Sequence, residues 1–234
     1  MTAAVDSDVK SNETKLVNNV WYKSVRMTVN VLTHVLIFLT VFICILFACN
    51  SATVGLYELH IILCVLGYQF FMCQGTLIMS QYNSWSMYIT RRYKKHLHWS
   101  MQVLAAVLVT VGTAFIIQQK SVHFNTIHGK LGLAALVCCL ASLLNGILAM
   151  YPRKLSTCIS VFWIRFFHYI TGVVSMFLAT GSLCAAFEYR SFKVWTGNGD
   201  VFVPTIVSFT WLFTVLVTLD FWILTGNKIR SLSK

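Results

Sequence analysis

Charge is what this chain lacks most. Only 11% of its 234 residues are charged, where a soluble domain has about 25%. Acidic residues are scarcer still, with 7 Asp and Glu against 18 Lys and Arg. Such a deficit excludes a soluble globular domain and implies lipid as the solvent. With two Pro and twelve Gly, the chain is neither fibrous nor loop-rich. The eight Cys contain no C-x-x-C, and the adjacent pair Cys138-Cys139 has no metal-site spacing. Cys158 falls in a short connection and the other seven in apolar runs, where Cys packs as a small hydrophobe. No disulfide framework is expected. GxGxxG, P-loop and HExxH motifs are absent. Residues 1–27 are polar, with no short apolar core before a small-residue cleavage site, so no cleavable leader is expected.

What is present is apolar sequence, 57% of the chain. A spanning helix needs about 20 apolar residues. Six runs qualify, roughly 27–49, 58–80, 97–118, 128–150, 165–187 and 201–225. They are continuous rather than alternating, which indicates helices, and only helices or closed barrels satisfy a backbone in lipid. The connections are short, so neighbours run antiparallel. The expected fold class is an all-α integral membrane six-helix bundle. Residues 1–26 form a cytoplasmic polar tail, 27–226 the six-helix domain, and 227–234 a second cytoplasmic tail.

The net charge of +11 fits a membrane surface better than nucleic acid, because of where the charges fall. Fourteen of the Lys and Arg lie in the two tails and the second and fourth connections; Lys120, Lys130, Arg190 and Lys193 lie on the other side. Both termini are therefore expected in the cytoplasm. The sequon-like Asn12-Glu13-Thr14 then faces the cytoplasm, where glycosylation is not expected.

Ionisable groups at membrane depth mark function. His60 and His128 each begin a helix that starts on the non-cytoplasmic face. His98 and His168 each begin one that starts on the cytoplasmic face. Helix direction alone sorts them into an outer pair, His60 with His128, and an inner pair, His98 with His168. Two imidazoles facing each other suit a planar iron porphyrin as axial ligands and leave iron no open position. Gly129, Gly132, Gly172 and Ala179 would let a flat macrocycle approach the backbone, or let helices pack closely. The other reading of the four is interfacial, hydrogen-bonded His without metal. His34 has no partner at equal depth and reads as a packing or hydrogen-bonding residue. Asp220 is the one clear intramembrane acid and reads as a helix-end hydrogen-bonding group.

Specific stretches carry a family resemblance: His98-Trp99 with Gln102, His123-Phe124-Asn125-Thr126-Ile127-His128-Gly129 with Gly132, Tyr151-Pro152, and His168-Tyr169-Ile170-Thr171-Gly172. Their order, spacing and placement resemble the cytochrome b561 family, most closely its short transmembrane reductases, over roughly residues 28–225. The resemblance implies a central four-helix core holding two b haems, with His60 and His128 on the non-cytoplasmic haem iron and His98 and His168 on the cytoplasmic one. The first and last helices flank that core. It implies cytoplasmic ascorbate as donor, monodehydroascorbate or ferric iron as acceptor, and in many members a homodimer. Relatives often have Pro after the first ligand; Ile61 stands there, and Tyr57-Glu58-Leu59 replaces the usual aromatic lead-in.

Ascorbate is an anion, so a basic mouth is expected over the inner haem. Arg91, Lys94, Lys95 and Arg165 are the candidates, with Arg92 beside them. On the outer face the candidates are Lys120 and His123. A haem-free transporter or channel is the principal rival. A flavin-linked reductase core would place two His on one helix about one haem-spacing apart, and no such pair occurs here; a protein that merely holds haem would not accept electrons from ascorbate.

Overall fold

The computed structural model describes the backbone of residues 2–51, 53–150, 161–197 and 200–232; the side chains of 2–19, 161, 220, 221 and 224–232 are excluded. Tyr151-Pro152, Arg153, Lys154 and Cys158 thus lie outside the described residues, as do Lys234 and the side chain of Asp220.

Every element among the described residues is helical. They are α1 (Thr2–Cys49), α2 (Leu56–Leu77), α3 (Arg91–Gln119), α4 (Ile127–Met150), α5 (Val161–Phe187), the short α6 (Arg190–Trp195) and α7 (Phe202–Leu232). All but α6 are long and apolar enough to span a membrane. The all-α bundle with six spans is therefore as the sequence predicts. The helix of α1 begins upstream of the expected start at 27, and its apolar portion begins at Val20.

Local sequence explains where the spans begin. Glu58 Oε2 accepts the Gly55 N–H (2.9 Å), half of a capping box at the start of α2. Thr126 Oγ1 accepts the Gly129 N–H (3.1 Å) and caps α4. Pro204 sits in the first turn of α7, where its missing N–H would have had no partner anyway.

The bundle is built from two antiparallel pairs, α2 with α3 and α4 with α5. Small residues bring each pair together. A Cβ on Gly112 of α3 would meet Cys64 Sγ at 3.0 Å and Leu63 Cβ at 3.1 Å of α2. In the other pair, a Cβ on Gly132 would meet Ser182 Oγ at 3.2 Å, and one on Gly172 would meet Ser142 Oγ at 3.1 Å.

Helices α1 and α7 pack on each other, α1 also on α2 and α7 also on α5. Ile37 of α1 and Phe213 of α7 are completely buried. Thr210, Thr214 and Thr218 of α7 are equally buried, and each hydroxyl returns to the carbonyl one turn back. That self-satisfaction lets a polar side chain sit in lipid without an orphaned donor. Thr214 adds an interhelical bond to Thr180 Oγ1 at 2.7 Å. Large apolar side chains such as Phe38, Val137 and Leu144 point outward, as lipid-facing positions require.

An interhelical hydrogen bond in a membrane contributes about 0.6 kcal/mol on average and up to about 1.7. Thr214→Val should lower stability by that order in an SDS-unfolding titration. Ser208→Ala, whose exposed hydroxyl only bonds Pro204 O within its own helix, should change it little.

Candidate functional site

Four helices each present one histidine toward the space between the two pairs. The rings of His60 (α2) and His128 (α4) face each other with centroids 6.1 Å apart and planes at 85°. Those of His98 (α3) and His168 (α5) do the same, at 6.1 Å and 89°. The pairing is the one expected from helix direction.

Each imidazole is fixed from behind by the neighbouring helix of its own pair. His60 Nδ1–H donates to Gly112 O (2.9 Å) and His98 Nδ1–H to Gly75 O (2.6 Å). His128 Nδ1–H donates to Ser182 O (2.9 Å) and His168 Nδ1–H to Ser142 O (3.0 Å). A carbonyl can only accept, so the proton sits on Nδ1 in all four rings. Each neutral ring therefore holds its Nε2 lone pair free. That is the tautomer and the second-sphere bond of a metal-ligating histidine.

Polar detail tightens the α4–α5 pair further. Ser182 Oγ donates to His128 O (2.9 Å), and Ser142 Oγ donates to His168 O (3.3 Å). Gly146 makes room for the His168 ring: a Cβ there would meet Cε1 at 3.0 Å.

The spacing of these contacts repeats. Fourteen residues separate the histidine from the accepting carbonyl in three helices: 98 to 112, 128 to 142 and 168 to 182. In α2 the count is fifteen, 60 to 75, and among the described residues that helix alone contains a π-helical stretch, Leu66–Met72. A π turn takes up the extra residue and keeps the carbonyl of Gly75 in register. Fourteen residues at 1.5 Å each set the two layers about 21 Å apart along the bundle, inside a hydrocarbon core of about 30 Å.

The basic residues divide. Arg91, Lys95 and Arg165 are exposed near the His98–His168 end. Lys94 is buried at 6% exposure, and its Nζ donates to Ser80 O (2.7 Å) in the α2–α3 connection. Lys120 is exposed and lies within electrostatic reach of both His60 and His128. His123 is exposed, with its ring 6.2 Å from that of Phe124. Phe124 adopts a left-handed backbone, φ 53°, rare for a bulky side chain, so the loop before α4 is held in a strained turn.

Sequence reasoning passed over several residues. The carbonyls of Gly75, Gly112, Ser142 and Ser182 leave no side-chain signal. The recurrence of His, Gly and Ser forty positions apart (128, 132, 142 and 168, 172, 182) was the available clue. Tyr189 also went unnoticed: its ring meets His128 edge-on at 5.9 Å, and its hydroxyl donates to Thr126 Oγ1 (3.2 Å). Tyr68 lies midway between the layers on α2, with a buried hydroxyl that has no partner among the described residues.

Residues 59–193, more than half of the chain, match the family model of eukaryotic cytochrome b561. The chain belongs to the cytochrome b561 family. Transmembrane reductase CYB561D2 of Mus musculus is 25% identical over 204 residues, 83% of this chain and 84% of the relative. The Homo sapiens and Bos taurus proteins of that name are each 26% identical over 171 residues, covering 69% of this chain and 73% of theirs. Membership makes this a multi-pass membrane cytochrome that binds haem b and transfers electrons across the bilayer.

The geometry fits that cofactor. An imidazole nitrogen bonds a transition metal at about 2.0 Å, and the ring centroid lies roughly 1.1 Å behind it. Two rings on opposite sides of one iron thus have centroids about 6 Å apart, as both pairs here do. Among the described residues no group of three or more His, Cys, Asp or Glu gathers; a porphyrin iron asks the protein for only two ligands. Gly146→Val should push the His168 ring aside and lower the haem b recovered per chain. Gly181→Ala, where a Cβ makes ordinary contact with Leu131 at 3.4 Å, should leave it unchanged. Pyridine-haemochrome absorbance against protein measures both.

Proposed function

We propose that this cytochrome is an ascorbate-dependent transmembrane oxidoreductase holding two haems b, one between His60 and His128 and one between His98 and His168. The observation that carries the reading is the shared state of the four rings: paired across the bundle, protonated at Nδ1 by geometry, and free at Nε2. Held by these histidines, haem would supply one-electron chemistry. The name transmembrane reductase, borne by the relatives, supports the same class of activity.

The excess of Lys and Arg in the tails and the second and fourth connections supports an orientation with both termini and the His98–His168 layer on the cytoplasmic side. Ascorbate, giving up one electron and one proton there, becomes monodehydroascorbate. On the opposite face the electron converts ferric to ferrous iron or, with a proton taken up from that side, monodehydroascorbate back to ascorbate. Arg91, Lys95 and Arg165 form the cationic approach for the donor anion. Lys94, with its ammonium committed to Ser80 O, pins the connection beneath them. Lys120, His123 and Tyr189 surround the outer layer, where Lys120 suits an anionic acceptor.

Replacing His60 by Ala should remove the outer haem and leave roughly half of the reduced-minus-oxidised absorbance. The remaining haem should still be reduced by ascorbate, while vesicles loaded with ascorbate should no longer reduce an external ferric chelate. Retention of all haem in both His60→Ala and His128→Ala chains would contradict the assignment. Reversing Lys95 or Arg165 singly to Glu should raise the KM for ascorbate about five-fold, at about 1 kcal/mol per reversed charge. The effect should shrink as salt is added.

A further inference from the structure

One stripe of α1 grips the connection between α2 and α3. Arg26 lies 5.0 Å above the Tyr82 ring. Asn30 Oδ1 accepts the Ser84 N–H at 2.9 Å. His34 sits between two amides: Gln74 Nε2 donates to its Nδ1 (3.0 Å), and its Nε2–H donates to Asn83 Oδ1 (3.0 Å). Positions 26, 30 and 34 recur every four residues, so they share one helix face. The stripe lies outside the segment, 59–193, that matches the family model.

Most of this polar network is buried where α1 meets the end of α2 and the α2–α3 connection. Asn83 is fully buried, Asn30 is 7% exposed and Gln74 8%. Its satisfaction is incomplete, since Asn83 Nδ2 has no partner among the described residues. A stripe of apolar side chains would hold the helix to its neighbours without that desolvation cost. The network also leads somewhere. Gln74 immediately precedes Gly75, whose carbonyl takes the shortest of the four histidine bonds, 2.6 Å from His98 Nδ1. Gln102, one turn beyond His98, donates to Met72 O (3.1 Å) and closes the same stretch of α2 from the other side.

We propose that His34 is a positioning residue for the inner haem: by bridging Gln74 and Asn83 it holds the Gln74–Gly75 backbone against His98 and keeps that ligand's Nδ1 bond short. The inference rests on the assignment of His98 as an axial ligand made above. A strong bond to Nδ1 makes the ligating nitrogen more basic. A more basic ligand favours ferric over ferrous iron and lowers the potential. Loosening the bridge therefore raises the potential of the inner haem and leaves the outer one, whose ligands are held by Gly112 and Ser182, where it was.

The test is a redox titration of the full chain in detergent or nanodiscs, followed in the haem absorbance. The inner haem is identified as the one missing from a His98→Ala chain. His34→Leu, which removes both bonds, should shift the inner potential upward and leave the outer unmoved. His34→Gln, whose amide can accept from Gln74 and donate to Asn83, should restore the parent value. Gln74→Leu reaches the same link from α2 and should reproduce the upward shift, which keeps the test open should His34→Leu fold poorly. An unmoved inner potential in haem-replete His34→Leu and Gln74→Leu chains would overturn the proposal. So would a shift in the outer haem alone, or identical behaviour of His34→Gln and His34→Leu, which would mark a role in packing only. A parent chain that titrates as a single haem, or that keeps both haems after loss of His98, would instead defeat the axial assignment itself.

Discussion

The bond from each histidine Nδ1 to a main-chain carbonyl on the adjacent helix is the constraint from which the rest follows. It decides the tautomer, and the tautomer decides that Nε2 faces the opposite pair with its lone pair available. It also fixes the ring plane, because a carbonyl at 2.6 to 3.0 Å leaves the imidazole little freedom to rotate. A side-chain acceptor would bring its own rotamers; a helix carbonyl moves only if the helix does. Borrowing the acceptor from the backbone ties ligand geometry to helix packing. The close approaches at Gly112, Gly132, Gly146 and Gly172 are then part of the site as much as of the fold.

That dependence explains the architecture on either side of the core. The two antiparallel pairs are internally tight, and the histidines face the space between them. Helices α1 and α7 lie outside and pack on each other, with Ile37 and Phe213 fully buried, while α7 is tied to α5 through Thr214 and Thr180. The register that matters runs from histidine to carbonyl, fourteen residues in three helices and fifteen in α2. The π-helical stretch at Leu66–Met72 shows how local backbone geometry absorbs one extra residue without disturbing the contact at Gly75.

Much of this could be read from the residues. Continuous apolar runs gave the six spans, since lipid offers a backbone no alternative partner. Helix direction, inferred from short connections, sorted His60 with His128 and His98 with His168, because a residue near a helix start inherits the depth of that end. What could not be read is whatever the backbone does: carbonyl acceptors carry no side-chain signature, and neither Gly75 nor Ser142 announces its role. His34 shows the same limit from another direction. Its partners Gln74 and Asn83 are polar residues forty and forty-nine positions away, and only tertiary structure brings them to one imidazole. Lys94 reads as one of a cluster of equivalent cations, yet burial turns its head group to Ser80 O.

The function proposed for this chain stands on iron held between those facing rings. Absorbance spectroscopy of the purified, folded protein, taken before and after addition of ascorbate and paired with haem quantitation, tests it most directly. Two haems b per chain, both with six-coordinate spectra and both reduced by ascorbate, are the predicted result. A folded protein that carries no porphyrin, or whose haems ascorbate leaves oxidised, would contradict it.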